Sequence, residues 1–318
     1  MLGLESTISI GKQASFTDPS TLARQSLNIY GISGGGTDQD ADDNILGGGL
    51  NNASDPVAPA PGLDDHKITI KTPLCINQTP WLLAAFFGTE TPTGTTPDYT
   101  HSWSSGQALP AVFLEHQLKS GKYRRHWGLV GESLTVDLSA DREGFGMLEA
   151  TFVGLKETRA TSALTGVVTA APALDRPAQK MCSVIYGGVA GGNIIGGKFT
   201  YKRTLKRHRS ADGTGVAYSV EVDNISSLSG SIRARFDDGA LLDDAFDRTE
   251  RTLALELLRS SVRGVKFSLP HQRLSRTPTD IPGPGGLEMD MPLRGWQTSS
   301  DAALLVQVLS GVATTAFS

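Results

Sequence analysis

Ser133-Leu134-Thr135-Val136-Asp137-Leu138 alternates polar and apolar side chains at every step. That is the period of a strand with one face on a core and the other in water. Working outward, the same alternation predicts strands at 66–71, His66-Lys67-Ile68-Thr69-Ile70-Lys71, and at 147–155, where Leu148, Ala150 and Phe152 interleave with Glu149, Thr151 and Val153. Further strands are predicted at 100–103, 111–118 and 123–128, punctuated by the turns Lys119-Ser120-Gly121 and 144–146. One segment breaks the pattern. Thr79-Pro80-Trp81-Leu82-Leu83-Ala84-Ala85-Phe86-Phe87-Gly88 is almost wholly apolar. Thr79 suits an N-cap, Pro80 the first helical position and Gly88 the stop. A helix this apolar all round has to be covered on most sides.

After a Thr/Ala/Pro/Val-rich stretch at 160–177, the strand theme restarts. Strands are predicted at 198–202, 216–222, 232–236, 264–269, 287–291 and 303–309, with one helix at 247–260, opened by acids and closed by Arg259. The reading is a mainly β chain of two β-sandwich or β-barrel units with short flanking helices. The first unit covers 1–162, a linker 163–178 and the second unit 179–318. Gly146-Met147-Leu148-Glu149 followed by Gly154 echoes Gly286-Leu287-Glu288 followed by Gly295, in keeping with two similar units. Residues 33–65 hold two glycine triplets, the run Asp38-Gln39-Asp40-Ala41-Asp42-Asp43 and an Ala/Pro stretch. They have no core-forming period and read as a long loop or arm.

Composition narrows the function. The 318 residues carry a formal net charge of −4, with 39% hydrophobic and 19% charged residues. That is apolar enough for a core, and it lacks the concentrated basic face that binding to nucleic acid by counterion release requires. Cys75 and Cys182 have no neighbours at ligand spacing and read as buried free thiols. The N-terminus has no basic-then-apolar signal, and the best apolar run, 80–88, is too short to span a membrane.

Asp38, Asp40, Asp42 and Asn44 alternate like calcium-loop ligands, but Asp43 and Gly49 stand where that loop wants Gly and Glu. A solvated acidic loop is the better reading. The glycine-rich stretch 187–197 lacks the Gly-Lys-Ser/Thr ending of a phosphate loop, and Gly131-Glu132-Ser133-Leu134-Thr135 fails the nucleophile elbow at its last position. The six histidines, His66, His101, His116, His126, His208 and His271, are scattered and form no catalytic or metal-ligand spacing with carboxylates or thiolates. No catalytic set, metal or cofactor is expected. The sharpest local feature is Lys202-Arg203-Thr204-Leu205-Lys206-Arg207-His208-Arg209. It reads as a hairpin that meets a neighbouring subunit in preference to nucleic acid. Lys202, Arg203, Lys206 and Arg207 are the candidate contacts on the basic side, and Asp38, Asp40 and Asp42 on the acidic side.

The order of features between 81 and 155 carries a resemblance. A Pro-led apolar helix is followed by a Thr/Pro-rich loop, Tyr99-Thr100-His101-Ser102-Trp103, and Pro110-Ala111-Val112-Phe113-Leu114-Glu115. An aromatic segment at 123–128, Gly131-Glu132-Ser133-Leu134-Thr135-Val136 and Leu148-Glu149-Ala150-Thr151-Phe152-Val153-Gly154 complete it. This order is similar to the major tail tube proteins of siphophages. The resemblance implies a structural subunit, not an enzyme, whose inner strands join those of neighbours around a lumen. Stacked rings would form the tail tube, the conduit for DNA ejection. The second β half favours a trimeric, pseudo-hexameric ring over a hexameric one. Implied partners are other copies of the chain, a tape measure and a tail terminator, with DNA only in transit and no membrane. The implied location is the virion tail, after assembly in the host cytoplasm. Polar positions on inner strands would face the lumen, with Asp137 and Glu149 as candidates for an acidic wall that repels phosphates. The alternatives are another virion assembly protein, such as a capsid decoration protein or a contractile-system tube, and a carbohydrate-binding or carbohydrate-active β protein. The last needs clustered aromatics, whereas Trp81, Trp103, Trp127 and Trp296 are widely spaced.

Overall fold

The computed structural model describes residues 6–16, 23–37, 40–42, 58–60, 62–90, 92–106, 108–191, 193–211, 215–235, 239–276 and 288–313. In chain order the elements are β1 (Thr7–Lys12), β2 (Arg24–Leu27), β3 (Gly31–Thr37), β4 (Asp65–Pro73), α1 (Thr79–Phe87), β5 (Thr93–Thr95), β6 (Asp98–Ser104), β7 (Val112–Lys119), β8 (Lys122–Ser139), β9 (Met147–Val153) and β10 (Lys156–Ala160). There follow β11 (Val168–Thr169), β12 (Cys182–Tyr186), β13 (Val189–Ala190), β14 (Ile194–Arg209), β15 (Ala217–Arg235), α2 (Ala240–Asp247), β16 (Arg251–Ser260), β17 (Arg263–Leu274), β18 (Glu288–Gly295) and β19 (Leu305–Ser310). The protein is mainly β, as the alternation requires.

The backbone of the molecule is an antiparallel sheet of seven strands in the order β3-β4-β9-β8-β14-β15-β18. One face is apolar throughout. Ile68 and Ile70, Leu148, Ala150 and Phe152, Leu134, Val136 and Leu138, Phe199, Ile232, and Met291 are all buried on it. Over the β4–β9–β8 part of that face lies α1, whose Phe86 ring sits 6.3 Å from both Phe152 and Tyr201. Gly131 on β8 makes room for it, because a Cβ there would overlap the Phe86 ring. Over the β14–β15–β18 part lies a second antiparallel sheet, β12-β16-β17-β19-β6, and Phe199 meets Phe267 at 5.5 Å between the layers. A smaller sheet, β11-β2-β1-β7-β8-β10, grows from the first half of β8.

Among the described residues, strand pairing crosses the 163–178 segment at β8–β14 and at β6–β19. The segment itself is laced down. Val168 and Thr169 pair in parallel with β2, Gln25 Nε2 donates to Ala170 O at 2.6 Å, and Ile76 N–H donates to Asp175 O at 2.9 Å. The echoing stretches also have a common setting, since β9 and β18 both present alternate residues to the same apolar face. Gly286 and Leu287 lie outside the described residues.

Four expectations are corrected. The strands predicted at 123–128 and 133–138 are one strand, β8, which serves two sheets and shifts register between Gly131 and Ser133. The helix predicted at 247–260 is instead the short α2 followed by β16. Leu253, Leu255 and Leu257 are buried at alternate positions, so β12 on one side and β17 on the other override the helix propensity of Leu, Ala and Glu. Helix α1 begins with Thr79 inside it, and Gln78 takes the cap position without capping. The Gln78 amide is committed elsewhere, accepting from Asn28 N–H and donating to Asn28 O, both at 2.8 Å. Finally, the predicted 33–65 loop is shorter, because residues 33–37 complete β3 and Asp65 opens β4. Cys75 is buried and Cys182 half-buried, both free; burial pushes the Cys182 thiol up to about 11.

Candidate assembly surface

The other face of the seven-stranded sheet is polar. Thr69 and Thr151 share a hydrogen bond at 3.0 Å, Thr135 and Thr200 another at 2.9 Å, and Ser229 stands in register beside Thr200. Charges are interleaved with these hydroxyls. Glu149 lies here and meets Lys71 Nζ at 3.1 Å, and Asp137 meets Arg142 Nη1 at 3.1 Å. Lys67 pairs with Glu132, while Lys198 is in register with Asp137 and Arg233 with Asp290. Both sequence-derived lumen candidates therefore sit on one polar face, each beside a cation.

The two end strands of the sheet are each paired on one side along most of their length. β3 pairs only with β4 among the described residues; its other side is tied at one point, where Gly36 N–H donates to Glu157 Oε2 at 2.9 Å. β18 pairs fully with β15, but β17 reaches only residues 293–295 on its far side, and Ser275 N–H donates to Pro292 O at 2.7 Å. Among the described residues, 288–291 keep an open edge. Such edges are aggregation hazards unless blocked or paired.

The basic run forms the outer half of the long β14–β15 hairpin, and the structure divides its members. Lys202 and Lys206 project outward in register with Ser227 and Glu221. Arg207 pairs with Asp65 of its own chain, and Arg209 Nη2 donates to Asp64 O at 2.9 Å, so both hold the root of the 38–64 segment. Arg203 is withdrawn as a contact residue. It is 1% exposed, its guanidinium stacks 4.8 Å above the Phe86 ring, and Nη1 donates to Phe86 O at 2.8 Å. A cation there satisfies the end of α1, where carbonyls lack helical partners and the dipole is negative. Its outward neighbours alternate with it, so the strand period turned Arg203 inward. Asp40 and Asp42 are exposed, while Asp38 lies outside the described residues.

With this geometry in place, comparison with protein families matches residues 3–295 to a phage tail tube protein model. The chain belongs to the phage tail tube protein family. No curated protein matches it. A tail tube protein is a structural component of the phage tail that self-assembles into a tube alongside other tail proteins. None of the described helices is long and apolar enough to cross a membrane.

In this tail tube protein the histidines, scattered in sequence, acquire partners in space. His101 Nδ1 is 2.8 Å from Glu90, and His271 lies between Glu250 and Asp301. His66 and His126 contact each other in the interior beside Glu157. Arg24 and Arg125 converge on buried Glu115, whose Oε2 also accepts Leu164 N–H at 2.8 Å. No spacing rule finds these groups, because the partners lie ten or more residues apart, up to 91 for Arg24 and Glu115, and meet only when the chain folds.

Proposed function

We propose that this chain is the tube subunit of a long, non-contractile phage tail, and that its polar sheet face lines the channel through which DNA passes. The observation that carries the reading is the seven-stranded sheet, with one face sealed by α1 and the second sheet and the other left to Thr, Ser and interleaved charges. Among the described residues its end strands, β3 and β18, keep open edges that a sister copy would complete, removing the hazard of an isolated sheet. Head-to-tail joining of unlike edges closes into a ring. The segments 1–162 and 179–318 act as two tube-like units, so three copies make a ring of pseudo-sixfold shape. Rings stack axially, with the 38–64 arm, Lys202 and Lys206 at contacts between copies. A tape measure and a tail terminator are the expected non-self partners.

A lumen of this kind resists DNA adhesion by pairing its own charges, Glu149 with Lys71 and Asp137 with Arg142, so that few cations are left free for phosphates. Negative-stain microscopy of the purified chain at high concentration tests the reading. Long narrow unsheathed tubes with threefold end views are expected. Discrete particles that never elongate would overturn it.

A further inference from the structure

His66 on β4 and His126 on β8 lie 60 residues apart in sequence, yet their rings stack with centroids 5.0 Å apart. His66 Nε2 is 2.8 Å from His126 Nδ1, and both residues are 1% exposed. Two imidazoles this close need one N–H and one bare nitrogen facing each other. The joint therefore counts protons: a proton on both facing nitrogens sets donor against donor. Neither outer nitrogen, His66 Nδ1 or His126 Nε2, has a hydrogen-bond partner among the described residues, so an added charge would find little solvation there.

The joint holds an important corner. His66 follows Asp65 at the mouth of the β3–β4 hairpin, which carries the 38–64 segment. Glu157 on β10 closes the third side, accepting from Arg124 Nε and Nη2 at 2.6 Å and from Gly36 N–H at 2.9 Å. One cluster thus ties β3, β4, β8 and β10 together. We propose that the His66–His126 pair is an acid-sensitive latch: once protonated, it loosens the β3–β4 hairpin from β8 and β10 and weakens its pairing with β9.

The charges around the pair come from every side. Glu157 on β10 and Asp65 on β4 favour an imidazolium; Arg124 on β8 and Arg207 on β14 oppose it, and His116 on β7 opposes it at His126. Burial outweighs the acids and pushes both imidazoles well below their ordinary range, His66 to about 4. Glu157 stays ionised in that window: although burial would raise its carboxyl, the bonds from Arg124 and Gly36 hold it down to about 2. The folded state therefore prefers the neutral pair. Its stabilisation is complete above the unfolded histidine value of 6.5 and is lost as pH falls from there towards 4. Two imidazoles and a carboxylate within 4.8 Å also match the donors of a metal site, but Arg124 already covers both Glu157 oxygens, so the proton is the better occupant.

Hydrogen exchange at about pH 7.5 and pH 4.5, corrected for intrinsic rates, tests the latch. At the lower pH, amides of β3, β4 and β10 should lose protection by at least about tenfold while β16, β17 and β19 keep theirs. The double variant His66→Gln, His126→Gln keeps hydrogen-bonding amides that do not titrate, and its β3–β4 protection should not respond to pH. Uniform loss across both regions, no loss, or an undiminished acid response in the double variant would overturn the proposal. So would protection of β3–β4 that rises when zinc is added at pH 7.5. Should the variant fail to fold, nitrogen-15 NMR of the wild-type histidines decides: both neutral to below about pH 5 supports the latch, and both titrating near 6.5 refutes it.

Discussion

The two faces of the seven-stranded sheet are made by the same strands and behave as different materials. Along β8, Leu134, Val136 and Leu138 point one way and are fully buried; Ser133, Thr135 and Asp137 point the other way and are partly exposed. On the first face, stability comes from removing apolar surface from water and from close packing, at roughly 25 cal/mol per Å². On the second, hydroxyl bonds and ion pairs compete with water for the same groups and contribute little net energy. The apolar face is where the chain folds. The polar face is free to be chosen for what passes over it.

Substitutions can break or sharpen that contrast. The largest effect is expected from Phe152→Ala, which removes a fully buried ring beside Phe86; unfolding in denaturant should show a loss of about 3–5 kcal/mol. A value under about 1 kcal/mol would mean that the helix layer is not the true cover of this face. An intermediate effect is expected from Arg203→Met, which keeps apolar volume and deletes the cation at the end of α1. The loss should be about 2 kcal/mol in the same experiment, the sum of a helix-terminus charge and ring stacking. The smallest effect is expected on the polar face. Asp137→Asn with Glu149→Gln removes two partly exposed ion pairs and should change stability by less than about 1 kcal/mol. Tubes should still form, while DNA ejection from virions carrying the pair slows; unchanged ejection would remove these acids from any role in the lumen.

Legibility in the sequence follows the range of the interaction involved. The strands at 66–71, 133–138 and 147–155 were readable because period-2 alternation is a local property that pairing only reinforces. Helix α1 was readable because a Pro-led apolar run bounded by Gly has few other uses. At 251–260 the same method failed, since Leu-Ala-Leu-Glu-Leu-Leu suits a helix locally and only flanking β12 and β17 make it a strand. For the surface candidates the outcome was mixed. Alternation made Asp137 and Glu149 polar positions of their own strands, and the pairing of β8 with β9 put both on one face. Arg203 was misread as exposed because its charge outweighed its position: it shares the inward parity of Phe199 and Tyr201.

By itself, then, the amino-acid sequence determined the β class, the apolar helix and the polar or apolar sense of most strand positions. All three rest on contacts within a few residues. Tertiary structure alone decided that β8 serves two sheets, that Arg203 caps a helix more than a hundred residues away, and that His66 meets His126. Those outcomes depend on which strands lie side by side, and strand order is set by the packing of the whole chain rather than by any stretch of it.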